Sequence, residues 1–184
     1  MAVIADNLYH VFNQGNNRQT IFLDQLDYFH FLKLVRRFVV PNSEILAYCL
    51  MPNHFHFLLY MNEKSAQAKK LGSLEVQEIT NAFRLLLSSF SAIQNKNYDR
   101  SGSWFRQRTK FELVEKDQYS QRAFHYIHQN PVRAGLVKKQ QDWEFSSFRD
   151  YAGLRNESFC NQNLAFEFVG FDRGNFLQEA ENMV

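Results

Sequence analysis

Two cysteines, Cys49 and Cys160, are all that the 184 residues contain. They lie too far apart in the chain to read as a thiolate metal cluster or a disulfide framework. With no secretory signal either, a reducing cytoplasm is the expected compartment. No apolar run approaches the ~18 residues that a membrane-crossing helix needs, so no membrane partner is expected. Charge of one sign is equally scarce: 21 Lys and Arg against 19 Asp and Glu leave a net charge of +2. That excludes the blanket basicity of many duplex binders, and any nucleic-acid site has to come from local clustering. Three prolines and seven glycines leave few points where the chain is forced to break.

What the sequence does have is phenylalanine, nineteen residues of it, within a 45% hydrophobic and 22% charged composition. Large rings on this scale point to an aromatic core, with some rings left for stacking on bases. The length suits one domain, 1–184, with 155–184 as an aromatic-rich C-terminal extension. Leu8 to Asn13 alternates as a strand and runs into a polar turn at Gln14-Gly15-Asn16-Asn17-Arg18. Asp24 reads as the N-cap of a helix to about Val39, with Phe29, Leu32 and Val35 on its buried face. Glu44 to Leu50 and His54 to Tyr60 read as an antiparallel strand pair around Met51-Pro52-Asn53. Asn62 to Gly72 reads as a loop, and Ser73 as the cap of a helix carrying Leu74, Ile79, Phe83, Leu86 and Leu87 to about Ile93. Phe111 to Glu115 is a further strand, and Asp117 caps a helix that ends near Asn130, because Pro131 disfavours helical geometry before it. Phe171-Asp172-Arg173 precedes a short final helix. The order β-α-β-β-α-β then helix predicts an α+β protein. Its expected form is a ferredoxin-like split βαβ sandwich, a four- to five-stranded antiparallel sheet with helices on one face.

Two constellations carry chemistry. In a strand, residues two apart share a face, so His54 and His56 point the same way while Phe55, Phe57 and Leu59 point to the other. Neighbouring imidazoles on a sheet face can chelate a divalent metal, although two half-exposed polar positions would look the same. An H-x-H strand also occurs in metallo-hydrolases built on (β/α)₈ barrels, but those need about 250 residues and another order of elements. The second constellation is on the helix, where Arg122, Tyr126 and Asn130 fall one turn apart on one side and His128 faces elsewhere. A tyrosine attacking a phosphate needs a nearby cation, for which an amide oxygen one turn on is a candidate ligand. Read structurally, Tyr126 is an ordinary amphipathic-helix residue and Asn130-Pro131 a cap with proline at the first helical position.

The segments YHVFNQGNNRQTIF, AYCLMPNHFHFLL, SGSWFRQRTKFELV, YIHQNPVRAGLV and WEFSSFRDYAG together resemble the single-tyrosine HUH transposases, in the REP-associated tyrosine transposase branch. The resemblance runs from about Leu8 to Gly153. It implies single-stranded DNA with hairpins as partner and a divalent metal, Mg²⁺ or Mn²⁺, as cofactor. It places the metal ligands at His54, His56 and Asn130 and the nucleophile at Tyr126, which would form a 5′-phosphotyrosine and release a 3′-hydroxyl. Acting as a monomer or a homodimer, such an enzyme cleaves and rejoins DNA in transposition or in mobilising hairpin-forming repeats. Gln14 departs from the basic residue common in the family after the first strand, with Arg18 as a substitute.

Trp104, Phe105, Arg106, Arg108 and Lys110 form a basic-aromatic block suited to tracking a strand, or else a solvated sheet edge with core rings. Asn16, Asn17 and Arg18 read either as DNA contacts or as a plain turn. Two other functions fit parts of the pattern. One is a non-catalytic single-strand binding module of the same fold. The other is an HUH initiator or relaxase using paired tyrosines, for which Tyr119 is the only helix partner of Tyr126.

Overall fold

The computed structural model describes residues 2–106, 108–115, 118–156, 158–170, 174 and 176–182. Strand β1 (Asn7–Gln14) leads to helix α1 (Gln25–Phe38), then to strands β2 (Glu44–Met51) and β3 (His54–Met61). A short helix α2 (Glu63–Ala66), a hairpin of β4 (Ala68–Leu71) and β5 (Leu74–Gln77), and helix α3 (Glu78–Asn97) come next. Strand β6 (Lys110–Val114) and helix α4 (Gln118–Arg133) follow, with α5 (Phe148–Tyr151), α6 (Gln162–Val169) and α7 (Phe176–Asn182) at the end. The main sheet has four antiparallel strands in the order β2-β3-β1-β6, the order of the expected split βαβ arrangement.

Helix α1 starts where its sequence says it should. The Asp24 carboxylate accepts from the Asp27 amide, and the Asp27 carboxylate accepts from the amides of Leu23 and Asp24. These reciprocal bonds satisfy donors that a bare helix start would leave unpaired. Of the expected buried face, Val35 is buried and Leu32 packs against the core, but Phe29 is not part of it. Tyr28, Phe31, Leu34 and Val35 face inward, whereas Phe29 is exposed. Both Phe and Leu recur at several offsets along this helix, and the sheet selects Phe31.

One sheet face carries Phe55, Phe57 and Phe111, which meet Phe31 of α1 and Phe83 of α3 at ring-centroid distances of 5.3 to 6.2 Å. Those distances are typical of edge and offset aromatic packing, so this cluster of the phenylalanines is core. Helices α1 and α3 cover that face as expected, and α4 lies across the opposite one, with Tyr126 against His56. Between 143 and 147 the chain runs beside β2. Leu50 donates to the Phe145 carbonyl, Trp143 Nε1 donates to the Leu50 carbonyl, and a single bridge joins Cys49 to Ser146. The outer strand is thereby covered instead of being left as an open edge.

Three local expectations fail for identifiable reasons. Residues 62–77 are a capped helical turn and a hairpin in place of a loop. Leu74 sits in β5 at the surface, and α3 begins at Glu78 without a Ser73 cap. Helix α4 runs through Pro131 to Arg133, because the Ala134 amide still bonds the Asn130 carbonyl beyond the proline. Asp117, expected as its cap, and Phe171-Asp172-Arg173 lie outside the described residues.

Candidate active site

His54 and His56 lie on the α4 side of β3, as alternation requires, and their rings are 4.9 Å apart at right angles. Each is anchored through Nδ1. His54 Nδ1 is 2.6 Å from Asn53 Oδ1, and His56 Nδ1 is 2.8 Å from His10 Nε2. His10 was not among the expected site residues. It reaches His56 because β1 pairs Phe12 with His56 and His10 with Leu58, which makes His10 the diagonal neighbour on the same face. Only the register across strands reveals this, and no spacing in the sequence encodes it.

Burial holds these imidazoles in the neutral form that binds metals. It lowers His10 to about 4 and also lowers His54. His56 is taken down to about 2, by burial first and then by the neighbouring His10 and His54. Two neutral imidazole nitrogens are donors for a borderline divalent cation, and a harder one would need oxygen ligands beside them. Among the described residues no group of three or more His, Cys, Asp and Glu side chains could hold a metal, so further ligands would have to be amides, waters or substrate oxygens.

Tyr126 sits at this pair. Its ring is edge-on to His56 at 5.8 Å and to His10 at 6.2 Å, and 40% of the residue is exposed. Asn130 is one turn further on. Its Nδ2 donates to the Tyr126 carbonyl at 2.8 Å, which ties the amide nitrogen to its own helix and leaves Oδ1 as the ligand atom it can offer. His128 faces away, as expected. It is fully buried against Phe124 and Phe148, with Nε2 2.7 Å from Ser147 Oγ.

One cationic group lies on the tyrosine, and others are placed along the same sheet row, the same helix and the approach to β6. The exposed Lys110 pairs with Phe12, which pairs on its other side with His56, so Lys110 lies in the same row across the site face. Arg122 lies over Tyr119 (5.9 Å from guanidinium carbon to ring centre) and is exposed. Arg133, which is not among the expected site residues, lies over Tyr126 itself at 5.6 Å. Arg106 and Arg108 are exposed at the approach to β6, where the Arg106 amide donates to the Gln14 carbonyl.

Trp104 corrects the expected stacking block. It is 1% exposed, its indole N–H donates to Asn95 Oδ1 at 2.7 Å, and Arg100 covers its ring, so no base can reach it. Phe105 is likewise in the core. The tryptophan instead supports the turn beside the histidines, since its carbonyl accepts from the Asn16 amide. That turn is a built feature. Asn17 and Arg18 both have left-handed φ, 52° and 59°, the Asn16 side chain donates to the Ser103 carbonyl, and Asn53 Nδ2 donates to the Arg18 carbonyl. Gly15 bonds the Asn53 carbonyl through its amide, and a Cβ there would stand 2.3 Å from the Gln19 carbonyl oxygen. Gly15→Ala is therefore expected to lower the unfolding free energy by about 1–3 kcal/mol, the usual cost of overpacking. A denaturant titration in which the variant matches the parent would remove the turn as a rigid support for Asn53.

No protein-family profile matches the chain. By sequence it is 31% identical over 108 residues to a protein of Haemophilus influenzae provisionally described as a REP-associated tyrosine transposase. The match takes in 57% of this chain and spans only 58% of that relative. By fold it is similar to a solved REP-associated tyrosine transposase bound to a REP hairpin, with a TM-score of 0.63 and 20% identity. That similarity covers 85% of this chain and 86% of the other. The chain is thus similar in sequence, over about half its length, to one described REP-associated tyrosine transposase, and similar in fold, over most of its length, to a solved one.

Proposed function

We propose that the protein cleaves and rejoins hairpin-forming single-stranded DNA through a covalent tyrosine intermediate, in the transposition or mobilisation of such repeats. The observation that carries this reading is the half-exposed Tyr126 ring packed edge-on against His56, whose neighbour is His54, on the sheet face that α4 crosses. A buried core tyrosine would not offer its hydroxyl to solvent, and a purely binding surface has no need of a neutral histidine pair held beside it.

His54 and His56 would hold a divalent cation, Mg²⁺ or Mn²⁺, with the Asn130 Oδ1 as the candidate third protein ligand. Bound there, the cation would supply Lewis-acid polarisation of the scissile phosphate. The chain's own residues do the rest. Tyr126 Oη attacks phosphorus and loses its proton to solvent, the P–O3′ bond breaks, and the 3′ oxygen leaves as a hydroxyl after taking up a proton. The energy of the broken linkage is kept in the 5′-phosphotyrosine, so a later 3′-hydroxyl can reverse the step without a nucleotide cofactor. Lys110, Arg122 and Arg133 on the site face, with Arg106, Arg108 and the Asn16-Asn17-Arg18 turn at its margin, would neutralise backbone phosphates and orient the strand. The fold neighbour binds a REP hairpin, which supports a folded single strand as the partner here.

The experiment is cleavage of hairpin oligonucleotides with 3′ and 5′ single-stranded flanks, with Mg²⁺, with Mn²⁺ and with chelator. The reading expects a free 3′-hydroxyl fragment and a protein-linked 5′ fragment, present with metal and absent with chelator. Tight hairpin binding without cleavage under either metal would establish instead a binding module of the same fold.

A further inference from the structure

We propose that His10 is a positioning residue that fixes which ring nitrogen His56 offers to a cation. This rests on the metal-site reading above and goes beyond it, because neither the sequence motif nor the likeness to other proteins gives His10 a role. The carrying observation is the 2.8 Å contact between His10 Nε2 and His56 Nδ1, with the two rings stacked at 5.0 Å. Two bare nitrogens would repel at that distance, so one of them carries a proton.

The neighbouring ligand shows which assignment suits the site. Asn53 Nδ2 donates to the Arg18 carbonyl, which turns its Oδ1 toward His54 Nδ1. An amide oxygen only accepts, so His54 is protonated on Nδ1 and bare on Nε2. If His56 donates its Nδ1 proton to His10 Nε2, it takes the same tautomer, and both histidines of β3 present a bare Nε2 on the face that Tyr126 occupies. With the proton reversed, His56 would be capped on Nε2 and would have to exchange tautomers before binding anything. Outer hydrogen bonds of this kind orient metal-ligating histidines, usually from a carboxylate or a carbonyl. A neutral imidazole does the same work without adding negative charge where a phosphate has to approach. His10 also floors the nucleophile, since its ring is edge-on to Tyr126.

The test uses the full chain without metal and then titrated with Co²⁺ as a spectroscopic probe, for the parent, His10→Gln and His10→Phe. Long-range ¹H–¹⁵N spectra of the imidazoles read tautomers directly in the metal-free protein. The expected parent result is Nδ1–H with bare Nε2 at both His54 and His56. In His10→Phe, the His56 signal alone shifts toward the Nε2–H form and Co²⁺ binding weakens about 10- to 100-fold. In His10→Gln, whose side-chain oxygen can accept from Nδ1–H, the tautomer is kept and affinity stays within a few fold. Should the phenylalanine variant fail to fold, His10→Leu takes its place in the comparison with His10→Gln. A His56 tautomer unchanged in the apolar variant overturns the proposal. So does a glutamine variant as impaired as the apolar one, with His10 nitrogen signals perturbed by Co²⁺, which would make His10 a direct ligand. A parent that binds no Co²⁺ sinks the metal-site reading, while the tautomer comparison still decides the role of His10.

Discussion

Tyr126→Phe is expected to abolish covalent attachment to DNA, lowering cleavage by at least about three orders of magnitude, the scale seen when a nucleophile is removed. Folding and hairpin affinity should hardly change. The hydroxyl has no protein partner among the described residues and the residue is 40% exposed, so its loss should cost under about 0.5 kcal/mol, as surface changes usually do. The ring stays, and with it the edge contacts to His10 and His56 and the packing under Arg133. Loss of the adduct would then report chemistry and not collapse of the site. Among the described residues of α4 the other tyrosine is Tyr119, exposed and beneath Arg122. It packs against neither histidine, so Tyr119→Phe should leave cleavage within a few fold of the parent. A two-tyrosine enzyme would instead lose its second step in that variant. Gel-shift affinity and cleavage rates on one hairpin substrate separate these outcomes.

Acidification is expected to unfold the protein above pH 4. Burial keeps five histidines neutral in the folded state, His54 among them, lowered from its ordinary value. His10 and His125 are lowered to about 4, His56 to about 2, and His128 well below the ordinary value of 6.5. For His128 the cause is burial first and then His125, and both ring nitrogens of His125 lack hydrogen-bond partners among the described residues. Below pH 6.5 the unfolded chain binds protons at these positions and the folded one does not. Stability therefore rises with pH across that window and is lost as pH falls from about 6.5 toward 4. Each histidine adds up to ~1.4 kcal/mol per pH unit. Allowing for coupling within each pair, a combined slope of about 3–4 kcal/mol per unit exhausts a typical domain stability within roughly two to three units. Urea midpoints at pH 7.5, 6 and 5 without metal should fall steeply, and His125→Leu should flatten the slope. A midpoint constant from pH 7.5 to 5 would contradict the buried neutral histidines. A divalent metal should oppose the loss at His54 and His56 and leave the contribution of His125 and His128 untouched.

The first half of the fold was legible because its signals are local. Asp24 and Asp27 cap α1 within a few residues, and alternation in HFHFLLYM fixes which face of β3 holds the histidines. The hairpin 68–77 was not legible. AKKL and LEVQ are too polar to read as strands, and the turn at Gly72-Ser73 looked like the end of a loop before a helix. Pro131 misled in another way, since a helix already packed on β2 tolerates a proline in its last turn. Trp104 read as a stacking residue because basic neighbours surround it in sequence, but its partner Asn95 comes from α3. His10 and Arg133 were missed because they join the site only through strand register and the helix axis. The candidate site was thus legible where its residues are sequence neighbours, and hidden where tertiary pairing supplies them.

The central claim is one nucleophile beside one histidine pair, and peptide mapping of the protein–DNA adduct tests it most directly. After incubation with hairpin DNA and Mn²⁺, proteolysis and mass analysis should place a 5′-phosphonucleotide on the peptide containing Tyr126, at that residue alone. The adduct should vanish in His56→Ala. An adduct on Tyr119, an adduct that survives loss of His56, or cleavage with no protein-linked product would each contradict it.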